Sequence, residues 1–275
     1  MTQASIGFIG GGNMARSLIG GLIADHYPNK LISVAEPDAN VRGKLAADFS
    51  IEVLEDNQQL ASSVDVLVLA VKPQMMKQVT EGLRDSVQSK HPLIVSIAAG
   101  IRSANLDEWL GGGIAVVRTM PNTPSLVGSG AAGLYANSLV SEEQKAVAES
   151  ILRAVGLTLW LQDEKQIDAV TALSGSGPAY FFLILEALEA AGAKLGLPQE
   201  SARLLALQTA YGAAKMALES TEDAATLRQR VTSPGGTTEQ ALKVLEEGNI
   251  RELFAQALSA ANKRSEELAD MFGES

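Results

Sequence analysis

The residues best equipped for chemistry are Thr232-Ser233-Pro234-Gly235-Gly236-Thr237-Thr238, which run into Glu239-Gln240-Ala241-Leu242. Hydroxyls, two adjacent glycines and a proline share this short stretch. A helical pattern follows at once, with Ala241, Leu242 and Leu245 on one apolar face. Such a turn delivers the first unpaired amides of a helix and the positive end of its dipole, which suits an anion such as a carboxylate. The glycines let backbone and ligand come close. The same residue types also make an ordinary N-cap and turn, so the stretch by itself leaves both readings open.

A second group lies near the N-terminus. Gly10-Gly11-Gly12-Asn13-Met14-Ala15 is a G-x-G-x-x-A pattern between the strand-like Ser5–Ile9 and a helical pattern through Leu18, Ile19, Leu22 and Ile23. That context is the one a dinucleotide fingerprint requires. Gly10 makes the sharp turn, Gly12 admits the pyrophosphate, and Ala15 lets helix and strand pack closely. Glu36 ends a second strand, Leu31–Ala35, about twenty residues further on, where the adenosine ribose is read. Its carboxylate would accept from a 2′-hydroxyl and repel a 2′-phosphate, although an acid here also serves to cap a turn. Arg42 would soften that discrimination.

Other chemistries are closed off by composition. The chain has no cysteine, which removes disulfides, thiolate nucleophiles and cysteine metal sites. Its two histidines, His26 and His91, sit in polar, loop-like settings, so no metal centre or His-based triad is expected. A net charge of -10 without a Lys/Arg run argues against nucleic acid and anionic membrane as partners. The N-terminus has no basic leader, and the longest apolar stretch, Ala179–Leu185, is too short to cross a bilayer. A cytoplasmic protein is expected.

Around these groups the elements form two series. In the first, apolar runs alternate with helical patterns. Asp65–Val71 ends at Lys72-Pro73-Gln74, Leu93–Ile97 ends at Ala98-Ala99-Gly100, and Ile114–Val117 is followed by Arg118-Thr119-Met120-Pro121-Asn122-Thr123-Pro124. Runs apolar throughout belong to strands covered on both faces, and their carboxyl ends converge on one crevice. Ala131–Ala136 and Leu157–Leu161 read as further strands flanking a helix from Ser141 to Val155. The expected architecture is an α/β Rossmann-type domain with a mostly parallel, doubly wound sheet over residues 1–163. The polar break Gln162-Asp163-Glu164-Lys165 ends it.

Residues 164–275 carry no strand signal and read as an all-α domain. Its first long helix begins within Leu173–Tyr180, with Pro178 suited to the first turn, and its body Phe181-Phe182-Leu183-Ile184-Leu185 is apolar almost all round. Helices over 199–219, 224–230, up to Glu247 and 250–271 follow. Faces this apolar belong either to a self-contained core or to helices interleaved with a second subunit.

With no cysteine, no histidine placed for catalysis and no metal cluster expected, a dinucleotide must carry the reaction. Reducing a carbonyl needs a positioned acid, which in hydroxyacid dehydrogenases of this layout is a lysine soon after the Gly-rich start of the helical domain. The fourth residue after Gly177 is Phe181, and no lysine follows until Lys194. A C=N substrate fits better, because solvent can protonate an imine, which then accepts hydride as an iminium ion. The site needs only orientation, a partner for the nitrogen and a cradle for a carboxylate. Another imine or hydroxyacid reductase, or a non-catalytic dinucleotide sensor, is the alternative.

The chain resembles the pyrroline-5-carboxylate reductases over essentially its full length. Three matching segments are Phe8–Ala15, Ala70–Gln74 and Ser96–Gly100, and Met120–Pro124 is a fourth. Ala172–Tyr180 and Val231–Leu242 are specific to that family. The resemblance implies reduction of 1-pyrroline-5-carboxylate to L-proline, the last step of proline synthesis. It implies that Thr238 hydrogen-bonds the ring nitrogen. Ser233 and the backbone of Gly235, Gly236 and Thr237 hold the carboxylate, with Glu164 near that loop. The cofactor is lined by Gly10, Gly11, Gly12, Asn13 and Met14, by Ala70, Val71, Lys72 and Pro73, and by Ala98, Ala99 and Gly100, with Asn57 beside the adenosine. Dimers interlocked through the helical domain, often gathered into decamers, are implied as well. The family mostly uses NADPH, whereas Glu36 departs from a phosphate-binding pattern, so NADPH and NADH both stand as cofactors.

Overall fold

The computed structural model describes residues 3–274. Eight strands form one sheet: β1 (Ile6–Ile9), β2 (Ile32–Ala35), β3 (Glu52–Leu54), β4 (Val66–Leu69), β5 (Leu93–Ser96), β6 (Val116–Met120), β7 (Gly130–Ala136) and β8 (Gly156–Trp160). Their order is β3-β2-β1-β4-β5-β6-β7-β8, parallel except between β6 and β7. The expected α/β class and mostly parallel sheet are borne out. The first six strands follow the dinucleotide-binding order, in which the sequence of strands switches sides between the parallel neighbours β1 and β4.

The apolar runs are strands because the sheet is covered on both faces. In β1, Ile6 and Phe8 enter one core while Ile9 enters the other. In β4, Val66 and Val68 oppose Leu67 and Leu69 in the same way. The helices of this part are α1 (Asn13–Ala24), α2 (Ala39–Phe49), α3 (Asn57–Ala61), α4 (Pro73–Lys90), α5 (Ser103–Trp109), α6 (Glu142–Arg153) and α7 (Gln166–Val170). The three-residue β3 was not foreseen. It is too short for an alternation to register, and only its pairing with β2 reveals it.

After α7 the chain makes one π turn, Thr171–Gly175, closed by Ser176 N donating to Thr171 O at 2.8 Å. It continues as α8 (Gly177–Lys194), followed by α9 (Gln199–Glu219), α10 (Ala224–Arg230), α11 (Thr237–Glu247) and α12 (Ile250–Glu274). Two expectations are corrected here. Pro178 does not open a new helix, because the run is helical from Gln166. Proline removes the donor for the carbonyl four residues back, Ser174 O, and Asn122 Nδ2 donates to that oxygen at 3.0 Å instead. The unbroken apolar run does end at Leu185, before Glu186, but it lies inside a longer helix, which changes the comparison with a bilayer. The helix Gln166–Lys194 is long and apolar enough to cross a membrane by length and composition, a test that core helices also pass.

Two compact units result: Met1–Ser176 with Ala260–Ser275, and Gly177–Ser259. The first is discontinuous, because the end of α12 joins it; Ser265 Oγ donates to Asp168 Oδ1 at 2.6 Å, both residues buried. The sequence break at 163 marks a change of composition, and the compact division falls later in the chain. In the second unit only Gly177 and Ala202 are buried.

Candidate active site

The cofactor-side residues expected from sequence lie at the carboxyl ends of adjacent parallel strands in the first unit. Gly10 to Met14 follow β1, Glu36 follows β2, Ala70 to Pro73 follow β4, and Ala98 to Gly100 follow β5. Asn57 opens α3, one position after its cap Asp56. Gly10 has φ +96°, and a Cβ there would sit 2.9 Å from Ala70 O, so the turn accepts only glycine. A Cβ on Gly11 would lie 2.5 Å from Leu45 Cδ1. Gly12 is different: nothing lies within 4 Å of its Cβ position, and as N-cap it leaves α1 without a side-chain cap. Open space before uncapped amides fits a diphosphate. The Asn57 Oδ1 atom is buried without a partner, a further acceptor for a bound group.

Glu36 is fixed on both oxygens. Gly11 N donates to Oε2 at 2.8 Å and Asp38 N to Oε1 at 3.0 Å. Arg42 Nη1 donates to the carbonyls of Glu36 and Pro37 at 2.6 and 2.7 Å, and Nη2 reaches Glu55 at 3.1 Å. Lys72 is an exposed N-cap of α4, with Pro73 as the first helical residue. Gly100 has φ +72°, and its Cβ position is 3.1 Å from Phe272 Cδ2, so the end of α12 covers this loop. His26 and His91 both have positive φ at helix ends, His91 as the C-cap of α4.

The expected carboxylate cradle belongs to the second unit. Gly235 has φ +72°, and Gly236 caps α11 with backbone alone. Gly236 N donates to Ser233 O at 3.0 Å, which closes the turn. Gly235 N donates to Glu239 Oε2 at 2.8 Å. This loop therefore binds a carboxylate in the structure, and that carboxylate is its own. Thr237 and Thr238 are the first two residues of α11, with Ser233 and Thr237 exposed and Thr238 half-buried.

Glu164 belongs to the first unit, at the start of α5. Its Oε1 accepts from Ser103 N at 2.6 Å and Arg118 Nη1 at 3.2 Å, and its Oε2 accepts from Ser103 Oγ at 2.8 Å. The carboxylate supplies the cap that Arg102, the N-cap residue, lacks. Arg118 is 1% exposed, and its Nε and Nη2 have no partner. Burial pulls its guanidinium below the ordinary value, and the charges of Glu164 and Asp168 oppose that shift. These groups border a cleft of about 630 Å³ together with Arg102, Tyr135 and Lys165. Sequence reasoning did not single out Arg118, Ser103 or Asp168. The available signal was an arginine inside the apolar run Val116-Val117-Arg118, a charge that must find a partner.

Chemically, the first unit offers an open, glycine-lined anion site beside an acid at the end of β2. The second offers amides and hydroxyls suited to a small carboxylate. No cysteine or histidine accompanies either.

Comparison with known proteins gives a consistent pattern. A family described as pyrroline-5-carboxylate reductase dimerisation matches residues 164–268, and one described as NADP oxidoreductase coenzyme F420-dependent matches residues 5–100. The pyrroline-5-carboxylate reductase of Pseudomonas aeruginosa is 54% identical over 274 residues, covering 100% of both chains. A solved pyrroline-5-carboxylate reductase from Coxiella burnetii is 50% identical with a TM-score of 0.94, covering 98% of this chain and 99% of its own. The Plasmodium falciparum pyrroline carboxylate reductase, solved with NADP bound, is 31% identical with a TM-score of 0.86 over 98% of this chain and 99% of its own.

Proposed function

The chain belongs to the pyrroline-5-carboxylate reductase family, and on that premise we propose that it reduces 1-pyrroline-5-carboxylate to L-proline with NAD(P)H, the last step of proline biosynthesis. It is an oxidoreductase acting on a cyclic C=N bond.

The observation that carries the reading is the Glu239 carboxylate held by Gly235 N. A loop that captures a carboxylate from its own chain has the donors to hold one from a substrate. The substrate's carboxylate takes the place of Glu239 on Gly235 N; Gly236, whose N–H closes the turn on Ser233 O, sets that amide beside the amide of Thr237, with the Ser233 hydroxyl alongside. The Thr238 hydroxyl donates to the ring nitrogen and orients it. Solvent supplies the proton that makes the imine an iminium ion, so no protein acid is required. Glu164 holds the cap of α5 and thereby the loop Ala98–Gly100 that precedes it. A dinucleotide held there would supply hydride chemistry for the iminium carbon. Residues Gly10 to Met14, Glu36, Asn57, Ala70 to Pro73 and Ala98 to Gly100 hold that dinucleotide. Residues 1–163 thus serve the cofactor, and 164–275 the substrate and the dimer.

The almost coreless second unit supports an interlocked dimer, with a second copy covering its helices. Assembly of such dimers into decamers and a cytoplasmic location complete the proposal. The direct test follows oxidation of NADPH and NADH at 340 nm with pyrroline-5-carboxylate. Absence of turnover with both cofactors overturns the assignment.

A further inference from the structure

We infer that this chain selects NADH over NADPH and that Glu36 sets the preference. The inference rests on the dinucleotide site proposed above and concerns which dinucleotide it takes. Glu36 follows β2, where open parallel sheets read the adenosine ribose.

Two features make its carboxylate a fixed obstacle to a 2′-phosphate. First, it is anchored at both oxygens, by Gly11 N at 2.8 Å and Asp38 N at 3.0 Å. It cannot swing aside without releasing the glycine loop. Second, the cation that would neutralise a phosphate is already committed. Arg42 spends Nη1 on two backbone carbonyls and Nη2 on Glu55, with its side chain 19% exposed. Lys44 stands two positions further along α2, turned about 200° from Arg42 around the helix. Arg16 is paired with Asp48 and stacked on Phe49. A phosphate would therefore arrive beside Glu36, Asp38 and Glu55 with no uncommitted guanidinium to receive it. A ribose hydroxyl meets the same carboxylate as a hydrogen-bond donor.

The experiment is a calorimetric titration of the native chain and two variants with NADH and with NADPH, free of substrate. The native chain is expected to bind NADH at least about tenfold more tightly. Glu36→Gln keeps an amide oxygen for Gly11 N and removes the charge. It should bring the two affinities within about threefold, through tighter NADPH binding. Arg42→Ala should weaken NADPH no more than NADH. Equal or tighter NADPH binding by the native chain overturns the inference, and so does an unchanged ratio in Glu36→Gln. A loss confined to NADPH in Arg42→Ala also overturns it, by showing that Arg42 leaves its carbonyls for the phosphate. Failure to bind either dinucleotide sinks this inference together with the proposed function. Tight NADPH binding with intact turnover sinks this inference alone.

Discussion

At the scale of single residues, charge and hydroxyl placement separate structural from chemical roles. Thr238 stands in the first turn of α11, outside the first unit, where the glycine loop lies. Thr238→Ala should therefore lower kcat by about a hundredfold while leaving dinucleotide affinity unchanged. Steady-state kinetics beside a cofactor titration checks this, and collapse of cofactor binding would remove the loop from the substrate's side. Arg118 and Glu164 make the opposite case. Glu164 keeps two bonds from Ser103 when Arg118 is lost, and its side chain is 20% exposed. Arg118 is buried and has a single side-chain bond, so losing Glu164 strands a buried cation. Glu164→Ala should cost about 3–5 kcal/mol in urea unfolding, and Arg118→Met about 1–2 kcal/mol. The reverse order would show that the arginine is the stabilising partner. Of these residues, Thr238 and Glu164 were expected from a motif, whereas the bonds of Glu164 to Ser103 were not. Arg118 was legible only as an anomaly, since a lone charge in an apolar run names no partner.

At the scale of elements, the continuous helix across Thr171–Gly175 rests on a side chain from another element. Asn122 Nδ2 serves Ser174 O, and its Oδ1 accepts from Ala131 N at 2.9 Å. Asn122 is 9% exposed, so both partners lose access to water. Asn122→Ala should cost about 2–3 kcal/mol, whereas Asn122→Asp keeps the Ala131 bond and should cost less. Equal melting temperatures for the two variants and the native chain would show that the helix needs no such support. The π turn has a second fixed point: a Cβ on Gly175 would lie 2.6 Å from Met120 Cε. None of this was readable beforehand, because Gly175-Ser176-Gly177-Pro178 looks like a helix break. What prevents the break is a donor more than fifty residues away. The strands were readable for the opposite reason. Burial on both faces writes itself directly into Leu67, Val68 and Leu69, whereas β3, with one exposed and two half-buried residues, leaves no such mark.

At the scale of the whole molecule, the two units differ in how they are stabilised. The first has cores on both faces of its sheet. The second leaves Phe181, Phe182 and Leu183 each at least 65% exposed and cannot be sustained by its own burial. If a second copy covers these faces, the melting temperature will rise with protein concentration. Leu183→Glu should then yield monomers by sedimentation, with loss of activity. A native chain that sediments as a stable monomer would exclude that cover. The sequence showed helices apolar all round, but periodicity does not say which molecule covers them. The first unit is also discontinuous, and this bears on how the protein is made. Its last pieces, Leu268 and Phe272 against Gly100, are synthesised after the whole of Gly177–Ser259. Translation proceeds at about 5–20 residues per second, so the strands wait several seconds while Gly177–Ser259 is made. Until then the loop Ala98–Gly100 lacks its covering helix. A nascent or truncated chain ending at Ser259 should display the sheet yet bind dinucleotide poorly, so the cofactor site matures only once the end of α12 has been made.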